Sequence, residues 1–198
     1  MYELDHIAVT CVDLDRGAQW LSAKLGVPFL QGGQHPRFGT HNRLLGLADG
    51  LYLEVIAPDP NAQVAGPRWF DLDNAPAEPR WGNWICRSTD IAAMPALTGP
   101  AIAMTRGALN WQITVPADGR LPMQGGFPTL IKWAADAKHP AQSLPPSGVR
   151  LTQWQIHHPQ ADELRAQCAM TDPRVHFQTA DAVRFVAHFD TPHGAVVI

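Results

Sequence analysis

The sequence predicts an α+β fold assembled from βαβββ modules, and three stretches carry that expectation. Residues 1–60 read as strand, helix and three strands. Residues 81–135 repeat most of that plan, and 148–198 show a strand and helix followed by three short strands. Residues 61–80 connect the first two stretches. With 198 residues, 45% of them hydrophobic and 17% charged, the chain is long enough to bury all of this in a single domain, 1–198.

Residues 4–10 alternate as a strand, so His6 shares a face with Ala8 and Thr10 while Ile7 and Val9 take the other. Asp13 caps a helix whose inward stripe is Leu14, Ala18, Leu21 and Leu25, and Gly26 before Val27-Pro28 stops it. A short strand at 29–31 runs into a loop of breakers, Gly32-Gly33 and then His35 to Thr40, before a strand at 41–47. Asp49-Gly50 is a hairpin turn into the strand 51–56, where Glu54 shares a face with Tyr52 and Ile56. Five prolines and Gly66 between 58 and 80 mark the connector, in which Trp69-Phe70 can still pack.

In the central stretch, strands are expected at 84–86, 109–115 and 129–134, with a helix at 91–97. Superposing Asp13-Leu14 on Asp90-Ile91 puts Asn83 in the place of His6 and Lys132 close to that of Glu54. The C-terminal stretch reads as a strand at 149–156, a helix at 160–169 with Ala161, Leu164 and Cys168 inward, and strands at 175–177, 183–189 and 194–198. There Gln153 and Val196 would stand for His6 and Glu54, and whether this partial module is a third copy stays open.

The formal net charge of -3, with no dense basic run, gives no footing for nucleic acid or an anionic membrane, so a small-molecule substrate or ligand is the expected partner. Cys11, Cys86 and Cys168 are odd in number and widely spaced, which suggests neither a disulfide framework nor a thiolate zinc site. The acidic opening residues do not read as a signal peptide, and a cytoplasmic location is expected. No phosphate-binding glycine loop and no hydrolase triad stand out.

Chemistry concentrates on His6 and Glu54. An ionised carboxylate on a largely buried strand needs a metal, a basic partner or a wet cleft, because leaving it unpaired costs several kcal/mol, to an order of magnitude, or shifts its pKa. His157-His158 precede Pro159 and point to opposite sides of a strand, and His188 and His193 lie near a terminal hairpin, so these histidines read as structural. The tryptophans read mostly as core.

The run Leu4-Asp5-His6-Ile7-Ala8-Val9, the segment Gly32-Gly33-x-His35-Pro36-x-x-Gly39-Thr40-x-Asn42 and the run Tyr52-Leu53-Glu54-Val55-Ile56-Ala57 together resemble the glyoxalase-like domain family of the vicinal oxygen chelate superfamily. Gly125-Gly126-x-Pro128-x-Leu130-Ile131-x-Trp133 is similar to that family's second block. The resemblance implies paired βαβββ modules whose curved mixed sheets enclose a cleft. In its metal-dependent members each module gives one ligand from its first strand and one from its last, and a divalent ion chelates two substrate oxygens. His6 and Glu54 match the first module's pair, whereas Asn83, Lys132, Gln153 and Val196 are poor ligands for the second.

Three readings follow for His6 and Glu54. One is a divalent metal site completed by His41, by Gln153 or by substrate and water. Another is a metal-free cleft in which Glu54 or His6 is a general base and Lys132 or Arg43 holds an anionic substrate. The last is purely structural, with Glu54 paired to Arg43 or Lys132. His35, Thr40, Asn42 and Gln153 are further substrate-binding candidates, and Asn42 and Arg43 cannot both face inward on one strand. The resemblance implies an enzyme of the lyase, isomerase or dioxygenase type that stabilises an enediolate or a chelated oxygen pair, or else a metal-free small-molecule binding protein. Because such modules pair within or between chains, a homodimer is also open.

Overall fold

The structure, a computed structural model, describes residues 2–198. Its first module comprises β1 (Glu3–Thr10), α1 (Leu14–Leu25), β2 (Leu30–His35), β3 (Thr40–Gly46) and β4 (Tyr52–Pro58). The second comprises β5 (Arg80–Arg87), a single helical turn α2 (Pro95–Thr98), β6 (Ala101–Arg106), β7 (Leu109–Thr114) and β8 (Thr129–Trp133). All eight strands form one curved, nearly closed sheet in the order β2-β3-β4-β1-β5-β8-β7-β6. Within each module the first strand runs parallel to the last, and the two modules join where β1 and β5 pair antiparallel. This is the glyoxalase-like arrangement of two βαβββ modules, completed within a single chain.

After a helical turn, α3 (Pro140–Ser143), the chain forms β9 (Arg150–His158), α4 (Ala161–Cys168), β10 (Val175–Thr179), β11 (Arg184–Thr191) and β12 (Gly194–Val197). These strands make a separate sheet ordered β10-β9-β11-β12. Here β10, the strand directly after the helix, lies parallel beside β9, so the element order of a module is present without its strand pairing.

Two apolar clusters flank the large sheet. Leu4, Ile7 and Val9 of β1, Leu53 and Val55 of β4 and the α1 stripe pack with Trp154, Ile156 and Leu164 of the C-terminal unit. On the opposite, enclosed face, Ala8, Ile56, Ile85, Ile113 and Ile131 meet Trp69, Phe70 and Trp111. The helix α1 is held by Asp13, whose carboxylate accepts from Arg16 N at 2.9 Å, and ends at Gly26 with φ 72°. The helix expected over 91–97 is a single turn, Pro95–Thr98: a residue preceding proline is disfavoured in the helical region, so 91–94 do not join it, and Gly99 at φ 75° ends it. No helix among the described residues is long and apolar enough to cross a membrane.

Candidate functional site

Asp5 and His6 are neighbours on β1, and strict alternation would send them to opposite faces. Instead the pairing with β5 slips between them: Leu4 opposes Cys86 and His6 opposes Ile85, leaving Asp5 as the extra residue of a β-bulge. Leu4 and Ile7 therefore both reach the outer core, and Asp5 turns inward beside His6.

The result is a buried relay. Asp5 is fully buried, and its Oδ1 stands 2.6 Å from His6 Nδ1. An ionised carboxylate only accepts, so the proton sits on Nδ1 and the other ring nitrogen, Nε2, faces the interior. Asp5 Oδ2 accepts from Trp133 Nε1 and His139 Nε2, both at 3.0 Å, and Arg87 Nε lies at 3.5 Å. Burial alone would raise the Asp5 pKa, but the hydrogen bonds and charges of His139 and His6 outweigh it and hold the carboxyl well below its usual range.

His6 Nε2 is 3.6 Å from Glu54 Oε2 and 3.4 Å from the Tyr52 hydroxyl, whose ring stacks on the imidazole at 4.2 Å between centroids. Burial pulls the His6 pKa down, yet Asp5 and Glu54 on either side reverse that and raise it overall. Glu54 moves the other way. Burial would raise it, but His6, then the more distant His35, and Asn42 together lower it. Asn42 Nδ2 donates to Glu54 Oε1 at 2.6 Å.

A second polar group faces this relay from the two edges of the large sheet. Arg106, at the end of β6, donates from Nη1 to His35 Nε2 at 3.1 Å and reaches Asn42 Oδ1 at 3.5 Å. His35 is consequently protonated on Nδ1, which donates to Thr40 Oγ1 at 3.1 Å, and the same oxygen accepts from Trp69 Nε1 at 3.0 Å. Burial, with Arg106 and His41 adding to it against the pull of Glu54, depresses the His35 pKa to about 4. Gly33 gives Arg106 its passage, since a Cβ there would lie 2.7 Å from Arg106 Cδ. Gly33 N donates to Asn42 Oδ1 at 2.7 Å, which fixes the amide orientation.

His6, Glu54, His35, Asn42 and Arg106 line a cavity of about 30 Å³, walled by Trp69, Phe70, Trp111 and Trp133. That volume suits about one or two waters. Arg106 and Leu44 also line an outer groove of about 810 Å³ that includes Gly33, Gly107 and Lys138. Arg106 is thus the charged residue common to groove and cavity.

The sequence pattern of the glyoxalase-like domain matches residues 4–171. The chain belongs to the glyoxalase-like domain family. A hypothetical protein from Staphylococcus aureus shares the glyoxalase-like fold at 12% identity and a TM-score of 0.61, over 93% of this chain and 88% of that one. Weaker likenesses include a methylmalonyl-CoA epimerase in complex with methylmalonyl-CoA and NH4+ (18% identity, TM-score 0.46, 70% of this chain, 99% of that one). Another is methylmalonyl-CoA epimerase from Mycobacterium tuberculosis (20% identity, TM-score 0.40, 66% and 85%). No curated protein sequence matches this chain.

Of the residues singled out from sequence, His6, Glu54, His35 and Asn42 converge on the cavity, and Thr40 stands directly behind His35. Lys132 does not join them. Ile131 and Trp133 line the cavity, so alternation along β8 turns the exposed Lys132 away, and the cation of the site is Arg106. Gln153 belongs to β9 in the other sheet, opposite His188. His41 alternates with Asn42 on β3 and faces away, as does Arg43's tip, which pairs with Asp15 at 2.5 Å. Asn83 is occupied by Thr129, at 2.9 Å. Gly32 to His35 lie in a bulged strand rather than a loop.

These placements bear on the metal reading. His6 Nε2 and Glu54 Oε2 are adjacent, but His41 and Gln153 cannot complete a shell. Among the described residues no group of three or more His, Cys, Asp or Glu is placed to hold an ion. Two donors facing a guanidinium are a poor fit for a cation that takes about four or more ligands.

Proposed function

We propose that this glyoxalase-like chain is an enzyme that moves a proton on the carbon beside the carbonyl of a small, anionic oxygenated molecule. Of the lyase, isomerase and dioxygenase chemistries, the first two can be carried by groups the chain itself supplies. The observation that carries the reading is His6, locked by Asp5 through Nδ1 and presenting Nε2 to the cavity 3.6 Å from Glu54. Two neighbouring groups whose pKa values are pushed apart form an acid and base pair. Glu54 as carboxylate takes the proton from carbon, and the C–H electron pair moves into the enolate. His6 and Arg106 stabilise the enolate oxygen. Return of the proton to the other face or to the adjacent carbon gives an isomer, and loss of a β-substituent gives an alkene.

The cavity as it stands holds about one or two waters, so the substrate would reach Glu54 from the outer groove only as its anionic group draws Arg106 away from His35, which links admission to recognition. Deuterium incorporation tests the reading. A panel of 2-oxo and β-dicarbonyl carboxylates is incubated with the protein in D2O and read by mass spectrometry. Exchange that requires both His6 and Glu54 is expected, and exchange that survives Glu54→Gln unchanged overturns the assignment of Glu54 as base.

A further inference from the structure

A second cavity, of about 810 Å³, lies between the large sheet and the C-terminal sheet. Its size falls in the range of small-molecule sites, roughly 300–1,000 Å³. It touches Thr10 and Gly82 on the β1/β5 side and Phe185 and Ile198 on the C-terminal side. Nothing in the His6 and Glu54 chemistry uses it.

Three arginines line it: Arg80, Arg120 and Arg184. Seven other arginines of the chain, such as Arg16 and Arg174, have carboxylate partners within 4.0 Å, whereas none of these three does among the described residues. Among the described residues the Arg184 guanidinium has one hydrogen-bond partner, His157 Nε2 at 3.4 Å. Asp71 is the one acidic side chain lining the cavity, and its Oδ1 already accepts from Asn74 at 2.9 Å. Three guanidinium groups thus face one carboxylate, a local excess of positive charge in a protein of formal net charge -3.

The walls beside the arginines are aromatic. Phe185 stacks one face on buried Trp154, at 5.3 Å, and its remaining surface lines the cavity with Trp20 and Trp81. Guanidinium groups hold phosphate oxygens through paired donors, and flat rings stack on aromatic faces. The rim is formed in part by Phe70, Asp71 and Gln124, three non-glycine residues at φ 59°, 56° and 56°. Such left-handed positions persist where surrounding structure over-determines them, often around ligands.

We propose that this intersheet cavity binds a nucleoside phosphate, its phosphates on the arginines and its base against the aromatic wall. The site is separate from the proton-transfer site, although Phe70 lines both cavities.

Calorimetry with ADP, pyrophosphate and adenosine as probes tests it. The expected result is ADP binding about tenfold or more tighter than either pyrophosphate or adenosine, weakening as salt rises. An Arg120→Gln/Arg184→Gln variant, which removes two exposed side chains lacking carboxylate partners, should weaken ADP by about tenfold or more, while Arg106→Gln leaves it unchanged. No ADP binding at millimolar concentration overturns the proposal. So does equal affinity in the double variant, or pyrophosphate binding as tightly as ADP.

Discussion

Asp5 Oδ1 and His6 Nδ1 stand 2.6 Å apart because a bulge lets two consecutive residues of one strand face the same side. Replacing Asp5 by Asn removes a buried negative charge that three other side chains also address. The His6 pKa should fall, as read by NMR titration of the imidazole. Stability should drop by about 2–4 kcal/mol in urea unfolding, since Trp133 and His139 lose a charged acceptor. An unmoved His6 titration would show that Asp5 does not set its charge.

His35 gives the fold a pH dependence of its own. Its pKa is near 4 in the folded chain and about 6.5 when unfolded, so the unfolded state takes up the proton first as pH falls. The contribution of His35 is full above about pH 6.5 and is lost between there and pH 4, on the order of 3 kcal/mol. His6 opposes this trend: its folded pKa is raised, so its contribution is full below about pH 6.5 and fades as pH rises through the folded value. Unfolding curves at several pH values should be flatter in that acid window for His35→Gln than for the parent.

The two adjacent glycines of β2 should respond differently to alanine. At Gly32 a Cβ would lie 2.4 Å from the backbone oxygen of Asn42, so Gly32→Ala should cost about 2 kcal/mol or more in thermal or urea unfolding. At Gly33 the obstacle is the Arg106 side chain, which can swing aside. Gly33→Ala should leave stability within about 1 kcal/mol of the parent and change the affinity for anionic ligands instead.

The corrected position of the cation has a direct kinetic test. In the deuterium-exchange assay, His6→Gln and Glu54→Gln should each slow exchange by about a hundredfold or more. Arg106→Gln should also slow it, by roughly tenfold to a thousandfold if Arg106 stabilises the enolate oxygen. Lys132→Ala, at an exposed position on the other face, should stay close to the parent rate.

The pair His6 and Glu54 was legible because each is an isolated polar residue in an apolar run, and the cavity forms where those runs neighbour each other. Asp5 was not, since the alternation rule assigns it to the opposite face. The signal was present in the apolar parity of β1: Leu4 and then Ile7 and Val9 serve the same core, which regular alternation forbids. Arg106 escaped notice because Ala101–Arg106, with alanine at two of six positions and glycines at 99 and 107 close on either side, carries no clear strand signal. Lys132 was misplaced by one residue of register: superposing Asp13-Leu14 on Asp90-Ile91 carries Glu54 onto Ile131, which lines the cavity, and the next residue along a strand faces the other way. The C-terminal elements followed from periodicity, but their pairing depends on where α4 returns the chain, and that is decided by tertiary packing.

Under the proposed function, Arg106, shared by groove and cavity, places selectivity where the two meet. A ligand carrying its own carboxylate can draw the guanidinium away from His35, whereas a neutral molecule of equal shape must break that contact with nothing to offer in exchange. That uncompensated loss weakens affinity, so neutral analogues should be poor competitors even where the aromatic interior would hold them well.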